Sequence, residues 1–358
     1  MTSRRRSDER EGEKMSVEIY DLLPESAPQP PGPRMSRVRR PLRESTKFTD
    51  ERATTNPEVA IKEQLAGDSR YTAMRVEKAQ EFIDDLVLPN EGPIVAPGFR
   101  LVPAAAARSL NLDAAADDPA DSLDDIVLDQ PTTAPAAAVD GNIVATFVDG
   151  IRGQNIFDVL DSCLLAQLVA NGRCDRESEP VGWTRSYGHV LEKLAWVVPA
   201  FDFFGLRSQS GQLSMSAALL KVISGIMTAR QVDLVSAAIE LMQGLPVDDR
   251  RLQIFRSNSV EANAGNFQVD SVGESENGMV SLKLCAFNFR TSENVTDVLW
   301  WRFNSQTTLL QATRTTFVLN THIYDRIRDA VAAKLGNRAQ KYIAGLPDFS
   351  DEEGGGDH

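Results

Sequence analysis

A period-two alternation of apolar side chains marks residues 279–290 as a β-strand. Alternate positions of a strand point to opposite faces. One face would carry Val280, Leu282, Leu284 and Ala286, and the other Cys285, Phe287 and Phe289. Further strand-like segments lie at 266–272, 296–305 and 308–319, and the connections 273–278 and 291–294 are short enough for hairpins. This part of the chain therefore predicts an antiparallel meander.

The segments before the meander have helical spacing. Apolar residues recur every three or four positions in five of them, as expected for helices with one buried side. They are 154–171, 183–198, 214–228, 230–244 and 248–257. Asp248 is the expected N-cap of the last one, a short strand is expected at 201–206, and a final helix at 321–345. Helices followed by adjacent strands predict an α+β fold, in which an antiparallel sheet meander packs with several helices.

Residues that can build a core are concentrated in the C-terminal part of the chain. All four Trp and all three Cys lie after residue 150. The composition predicts a disordered arm, a pair of short helices able to dock, an acidic linker rich in Pro and Ala, a globular α+β domain and an acidic tail. Their bounds are 1–55, 56–88, 89–140, 141–346 and 347–358.

Two short helices are expected before the linker, at 57–66 and 72–88. The second one has an apolar stripe at helical spacing. Its candidate partner-binding residues are Val76, Ile83, Leu86 and Val87. Such a stripe either packs on the chain's own domain or binds a protein partner, and the sequence leaves both alternatives open.

The charge of the chain restricts its partners. A formal net charge of −13 disfavours general nucleic-acid binding, which requires a basic face that releases phosphate counterions. It also disfavours electrostatic docking on an anionic membrane. The charged N-terminus is not followed by an apolar segment, and no stretch approaches the ~18 apolar residues of a membrane-spanning helix. The expected location is the cytoplasm of the producing cell, with export by a dedicated system as the alternative.

The common short motifs of enzymes are absent from the sequence. It has no phosphate-binding GxxxxGKS/T, no GxGxxG, no HExxH, no GxSxG and no CxxC. Three Cys with irregular spacing form neither a disulfide framework nor a zinc site, so no metal is expected. Cys285 with His189 or His322 is the pair that keeps a cysteine-dependent enzyme open as a hypothesis. No catalytic residue is assigned.

Cys285 is the residue on which the main hypotheses differ. It is either a packed core thiol or a point of attachment for an apolar ligand. Trp300 and Trp301 are adjacent, so in a strand they would face opposite sides and one of them would need to be covered. The candidate lipid-attachment or apolar-ligand site consists of Cys285, Phe287, Phe289, Trp300 and Trp301. A covalent fatty acyl group is the prosthetic group that such a site would carry.

Four blocks of the chain resemble known sequences. They are DVLDSCLLAQL at 158–168, YGHVLEKLAWVV at 187–198, VLWWRF at 298–303 and KLGNRAQKYI at 334–343. Together they resemble a family of mostly uncharacterised bacterial and fungal proteins over about residues 150–346. To a lesser degree the chain is similar to the Erwinia virulence factor type. That resemblance implies an α/β protein that is lipid-modified on a cysteine and acts in insect-gut infection. Cys285 is the thiol in a comparable place, while the family's block has a small polar residue at the position of Cys163.

Three functions follow from these observations. The first is a non-enzymatic virulence-factor-like or effector-like protein that binds or carries an acyl chain or associates with a membrane. The second is a protein-interaction or scaffold module recruited through the N-terminal arm. The third is a cysteine-dependent enzyme.

Overall fold

A ten-stranded sheet lies at the centre of the part of the chain that the structure describes. The computed structural model describes residues 17–21, 69–89, 123, 126–208, 211–295 and 298–346. The strands are β1 (Val17–Asp21), β2 (Ala136–Asp140), β3 (Ile143–Phe147), β4 (Trp196–Val197), β5 (Phe203–Ser208), β6 (Gln212–Ser214), β7 (Val260–Glu261), β8 (Ala264–Glu274), β9 (Val280–Arg290), β10 (Arg302–Asn304), β11 (Leu309–Leu319) and β12 (Ile343–Gly345). The order in the sheet is β1-β5-β11-β9-β8-β3-β2-β12, with β4 beside β11 and β7 beside β8.

Nearly all neighbouring strands of this sheet are antiparallel. The long strands β8, β9 and β11 lie side by side, with Cys285 opposite Val269 on one side and Arg314 on the other. The exception is the parallel pair of β3 and β8. The predicted antiparallel meander and the α+β class are therefore confirmed.

Helices cover both faces of the sheet. They are α1 (Ser69–Asp85), α2 (Gly153–Arg173), α3 (Pro180–Lys193), α4 (Met215–Ile223), α5 (Ala229–Gly244), α6 (Arg250–Ser259), α7 (Thr321–Tyr324), α8 (Arg328–Leu335) and α9 (Arg338–Tyr342). No helix in the described part of the chain is long and apolar enough to cross a bilayer.

The first face of the sheet packs against α1, α2, α3 and α8. Strand β9 contributes Val280, Leu282, Leu284 and Ala286 to this layer. The second face packs against α4, α5 and α6, and β9 contributes Cys285, Phe287 and Phe289. The two faces of β9 are the two sets predicted from its period-two spacing. Burial of apolar surface on both faces is the main stabilising contribution to this three-layer arrangement.

Strand β2 lies inside the segment predicted to be a linker. Ala136–Asp140 pairs with β3 on one side and β12 on the other, and all five residues are buried. The globular domain therefore begins before residue 141. Runs of Ala have low intrinsic β-propensity, so pairing with two neighbours overrides the local preference of this segment.

A tight turn joins β2 to β3 and is held by α2. Gly141 has a φ of +57°, a conformation that glycine adopts at little cost. The amide nitrogen of Gln167 donates to the carbonyl of Asp140 at 3.0 Å, and its amide oxygen accepts from the backbone N–H of Asn142 at 3.1 Å. These bonds place the carboxyl end of β2 against the helix.

Two elements of the C-terminal part differ from their predicted secondary structure. The expected strand at 296–305 is instead a 3-10 turn at Val298–Trp300 followed by the short β10, which pairs with β6 in a separate two-stranded sheet. The expected helix at 321–345 is divided into α7, α8 and α9. Gly336, with a φ of +58°, ends α8, and β12 is drawn into the sheet by its pairing with β2.

Helix boundaries differ by smaller amounts. The N-cap of α6 is Asp249, whose carboxylate accepts from the backbone N–H of Arg251 at 2.8 Å, and not Asp248. The predicted helix 183–198 ends at Lys193, and Trp196–Val197 forms β4 against β11. Caps shift easily by one residue when two acids are adjacent.

The N-terminal regions are described only in part. Val17–Asp21, within the predicted disordered arm, forms a strand of the sheet. Helix α1 matches the second of the two predicted short helices. The predicted helix at 57–66, most of the arm and linker, and the acidic tail lie outside the described residues.

Candidate functional site

Cys285 is enclosed in the second face of the sheet. Its side chain is 0% exposed, in the apolar layer formed with α4, α5 and α6. Burial, and secondarily the charge of Asp270, raises the pKa of the Cys285 thiol well above its usual range. The neutral thiol is neither a nucleophile nor easily modified, so in this structure Cys285 is a packed core thiol. Acyl attachment at this residue stays a prediction, since it would require part of the helical layer to move.

The candidate apolar-ligand residues all lie on this same side of the sheet. Phe287 stacks on Phe267 with ring centroids 5.2 Å apart. Phe289 lies 5.3 Å from the Trp301 ring, between centroids. Trp300 and Trp301 are half-buried in a turn, so the expectation that strand geometry would place them on opposite faces is wrong. The structure brings the five residues to one side, where they fill space with one another and with the helices.

The apolar stripe of α1 packs inside the molecule. Ile83 is 1% exposed, and Val76 and Leu86 pack against the same core as α2 and α3. Val87 lies beyond the end of the helix and is 90% exposed. Three of the four residues considered for partner binding are therefore used to hold α1 on its own domain, which was the other alternative that the sequence left open.

His189 and Cys285 are separated by the sheet. His189 is on α3, which covers the first face, and its side chain is half exposed with Nδ1 3.8 Å from a carboxylate oxygen of Glu192. Cys285 points into the second face. This geometry does not place His189 as a general base for a Cys285 nucleophile.

A buried polar cluster, which the sequence did not indicate, lies between the first face of the sheet and α2. It comprises Asp140, Asp270, Cys163 and Tyr187, all buried and close enough to affect one another's ionisation. Neither carboxyl group has a side-chain hydrogen bond of normal geometry to the described residues. Asp270 lies on β8, where Asn266, Gln268 and Asp270 alternate with Phe267 and Val269.

Burial determines the protonation of this polar cluster. Desolvation raises the pKa of Asp140 and of Asp270 well above the ordinary value, and Asp161 adds to the effect at Asp140. Desolvation also raises the pKa of Cys163, and the two carboxyl groups raise it further. In each of the four groups burial therefore favours the neutral form. Among the described residues, no group of three or more His, Cys, Asp or Glu side chains is arranged to hold a metal ion.

The outer side of β5 is occupied by β1, which is the outermost strand at this end of the sheet. Strand β1 pairs with β5 along its full length, with Tyr20 opposite Gly205 and Glu18 opposite Arg207. The guanidinium carbon of Arg207 lies 5.2 Å from the centre of the Tyr20 ring, and its Nε lies 3.4 Å from a carboxylate oxygen of Glu18. We call this set of contacts the edge site.

Open depressions lie at both ends of the edge site. One of about 590 Å³ is lined by Tyr20, Arg290, Leu309 and hydroxyl and amide side chains of 291–308. The other, of about 520 Å³, is lined by Val17, Glu18, Ile19, Arg207 and Lys221. The edge site is therefore a surface that holds an extended segment, with room around it.

Comparisons with known proteins do not place the chain in a family. No protein-family model and no curated protein matches it. A solved structure described as the structure of the Evf virulence factor is similar at a TM-score of 0.29 and 8% identity, over 51% of this chain and 71% of that one. A delta-endotoxin structure is similar at a TM-score of 0.30 and 13% identity, over 66% and 97%. Scores this low do not establish a common fold, so no residue role is transferred from either structure.

Proposed function

We propose that this chain is a non-catalytic interaction module that takes up an extended protein segment as an added strand on the β5 edge. The observation that supports the proposal is the pairing of Val17–Asp21 with β5 in a continuous antiparallel register. This segment is far in sequence from α1, the next element that the structure describes. The edge of β5 therefore accepts a strand that reaches it from a distant part of the chain.

Strand addition suits this edge for a physical reason. The backbone N–H and C=O groups of an edge strand are unpaired until another strand supplies partners, and they then provide affinity that is largely independent of sequence. The opposite edge of the sheet is covered differently. At β12, α6 packs alongside and a guanidinium nitrogen of Arg250 donates to the carbonyl of Ile343 at 3.4 Å. The β5 edge is completed by a strand instead.

A second candidate function is acyl binding on the side of the sheet that holds Cys285. The observation in its favour is that Cys285, Phe287, Phe289, Trp300 and Trp301 share that side. Its support is weaker, because those rings are packed against one another and the thiol is enclosed. An effector-like role would be compatible with either kind of binding.

A labelled peptide with the sequence of residues 15–23 tests the first proposal. It would be titrated against the full chain and against full chains carrying Tyr20→Pro or Tyr20→Ala. Both substitutions weaken the chain's own strand, and Pro also removes a backbone donor. We expect saturable binding to the variants and weaker binding to the unsubstituted chain, in which β1 competes.

A peptide with Pro in place of both Ile19 and Tyr20 serves as the control and should not bind. Circular dichroism of both variants would verify that the sheet is retained, as expected when only an edge strand is lost. Absence of binding to both folded variants at ~1 mM peptide would overturn the proposal.

A further inference from the structure

The edge site is specific in its side chains as well as in its backbone. Gly205 is the residue of β5 opposite Tyr20, and a Cβ atom at this position would overlap the tyrosine ring. Glycine inside a strand weakens the strand unless another group approaches closely, and here an aromatic ring does so. The absence of a side chain at Gly205 thus leaves a space, here called the seat, that an aromatic ring can occupy.

Arg207 interacts with two positions of the bound strand at once. Its guanidinium group lies near the carboxylate of Glu18 and over the ring of Tyr20. Lys221 of α4 lines the neighbouring depression, on the side of the sheet that Val17 faces. Arg207 therefore favours a strand with an acidic residue two positions before an aromatic residue.

The same contacts determine the register of the bound strand. A slip by one residue would place Ile19 over Gly205 and turn both Glu18 and Tyr20 to the opposite face. Val17, on the face away from Arg207, packs against the apolar layer of α4 to α6. An incoming strand is thus specified by an apolar residue followed directly by the acid, and by the aromatic residue two positions after that acid.

We infer that the edge site selects an extended segment of another protein that carries an acidic residue two positions before an aromatic residue, and that Glu18 and Tyr20 occupy the site as a built-in competitor. This inference rests on the proposed function and names the chemistry of its partner. Because β1 belongs to the same chain, it competes with an incoming strand at an effective concentration that does not depend on the protein concentration. Partner binding therefore depends on displacing β1 or on weakening it.

The experiment uses the full chain with Tyr20→Ala, which leaves the seat vacant, and nine-residue peptides based on residues 15–23. One peptide keeps Glu and Tyr, one has Lys in place of Glu18, and one has Ala in place of Tyr20. We expect each altered peptide to bind about five- to tenfold more weakly than the parent peptide. In a chain that also carries Arg207→Glu, the peptide with Lys in place of Glu18 should bind more tightly than the peptide that keeps Glu.

The seat is tested by Gly205→Ala in the same background. The added methyl group should weaken the binding of the Tyr-containing peptide about tenfold. Binding of the Ala-containing peptide should stay nearly unchanged. The φ of Gly205 is not in the left-handed region, so alanine fits the backbone and the sheet should persist.

The outcomes separate the two proposals. Equal binding of all peptides to all receptors would overturn the selectivity while the strand-addition function stands. No binding of any peptide would overturn both. A concentration-dependent dimer of the unsubstituted chain in sedimentation, lost on Gly205→Ala, would make a second copy of this chain the partner and overturn the assignment to another protein.

Discussion

Arg328 donates two hydrogen bonds to the carboxylate of Asp158, one from Nε at 2.6 Å and one from a terminal nitrogen at 2.7 Å. The pair joins the first residue of α8 to the N-terminal third of α2. Asp158 is 1% exposed in its side chain and Arg328 is 27% exposed. Burial raises the pKa of Asp158, and the guanidinium group of Arg328 opposes that effect. The ion pair therefore offsets the cost of a carboxylate inside the helical layer.

Replacing Arg328 by Met should destabilise the chain in a pH-dependent way. Removal of Arg328 leaves the buried Asp158 carboxylate without its counter-ion, although the side-chain amide of Gln154 still donates to it at 3.0 Å. Loss of one partner of a buried ion pair typically costs about 3–5 kcal/mol. The pKa of Asp158 in the folded state would rise further above its unfolded value, so stability would be lost as pH rises towards that folded pKa. The loss of unfolding free energy, measured by urea unfolding, should be large at pH 8 and smaller at pH 4.

The control is Arg185→Met, at an exposed position, which should change stability by less than about 0.5 kcal/mol. An equal loss at both pH values would contradict this account.

Asp270→Asn should flatten the dependence of stability on pH. The pKa of Asp270 is raised by burial, so the folded chain keeps a proton that the unfolded chain releases above pH ~4. Stability from this group is therefore present at low pH and lost as pH rises towards the folded pKa, at up to about 1.4 kcal/mol per pH unit. Asn cannot ionise, so the Asp270→Asn variant should not lose stability in this way as the pH rises.

Urea unfolding at pH 5, 7 and 9 would measure the effect. The difference in unfolding free energy between Asp270→Asn and the unsubstituted chain should shift in favour of the variant as pH increases. Asp248→Asn, the same substitution at an exposed position on the α5–α6 connection, is the matched control. Parallel pH profiles for Asp270→Asn and the unsubstituted chain would show that Asp270 does not remain neutral in the fold.

Local periodicity was sufficient to predict most of the fold. The two faces of β9 follow from alternation alone, because the strand is apolar on both sides and any other register would bury fewer of its side chains. Helix α2 follows equally well from its repeated apolar positions. The split of the C-terminal helix was not predictable in the same way, because 343–345 becomes a strand only through pairing with Ala138–Asp140.

The candidate sites were harder to predict. Asn266, Gln268 and Asp270 alternate with apolar residues, a pattern that ordinarily indicates a solvated face of a sheet. Here α2 and α3 cover that face, so the polar cluster is a product of tertiary packing. Val17–Asp21 has the alternation of a strand but is too short, beside a charged and Pro-rich sequence, to indicate one. Its pairing depends on β5, which is remote in the chain.

Ile83→Ala should destabilise the docking of α1. Ile83 is buried between α1 and the core on the first face, and loss of such a side chain typically costs about 2–5 kcal/mol. Val87→Ala, at a position that is 90% exposed, is the matched control and should be neutral within about 0.5 kcal/mol. Amide hydrogen exchange would show faster exchange in residues 69–85 of the Ile83 variant alone. Unchanged exchange there would mean that α1 is held by other contacts.

Native thiol reactivity should distinguish Cys174 from Cys163 and Cys285. Cys174 is partly exposed at the end of α2, whereas the other two thiols are buried and have raised pKa values. A thiol reagent at pH 8 should label Cys174 rapidly and the other two only after unfolding in urea, as read by peptide mass spectrometry.

The same spectra decide whether Cys285 carries an acyl group in the producing cell. An acylated Cys285 would show a mass increase that hydroxylamine removes, and a Cys285→Ala chain would lack it. A free Cys285 thiol in all native material, labelled only after unfolding, would exclude acyl attachment and leave it as a packed residue of the core.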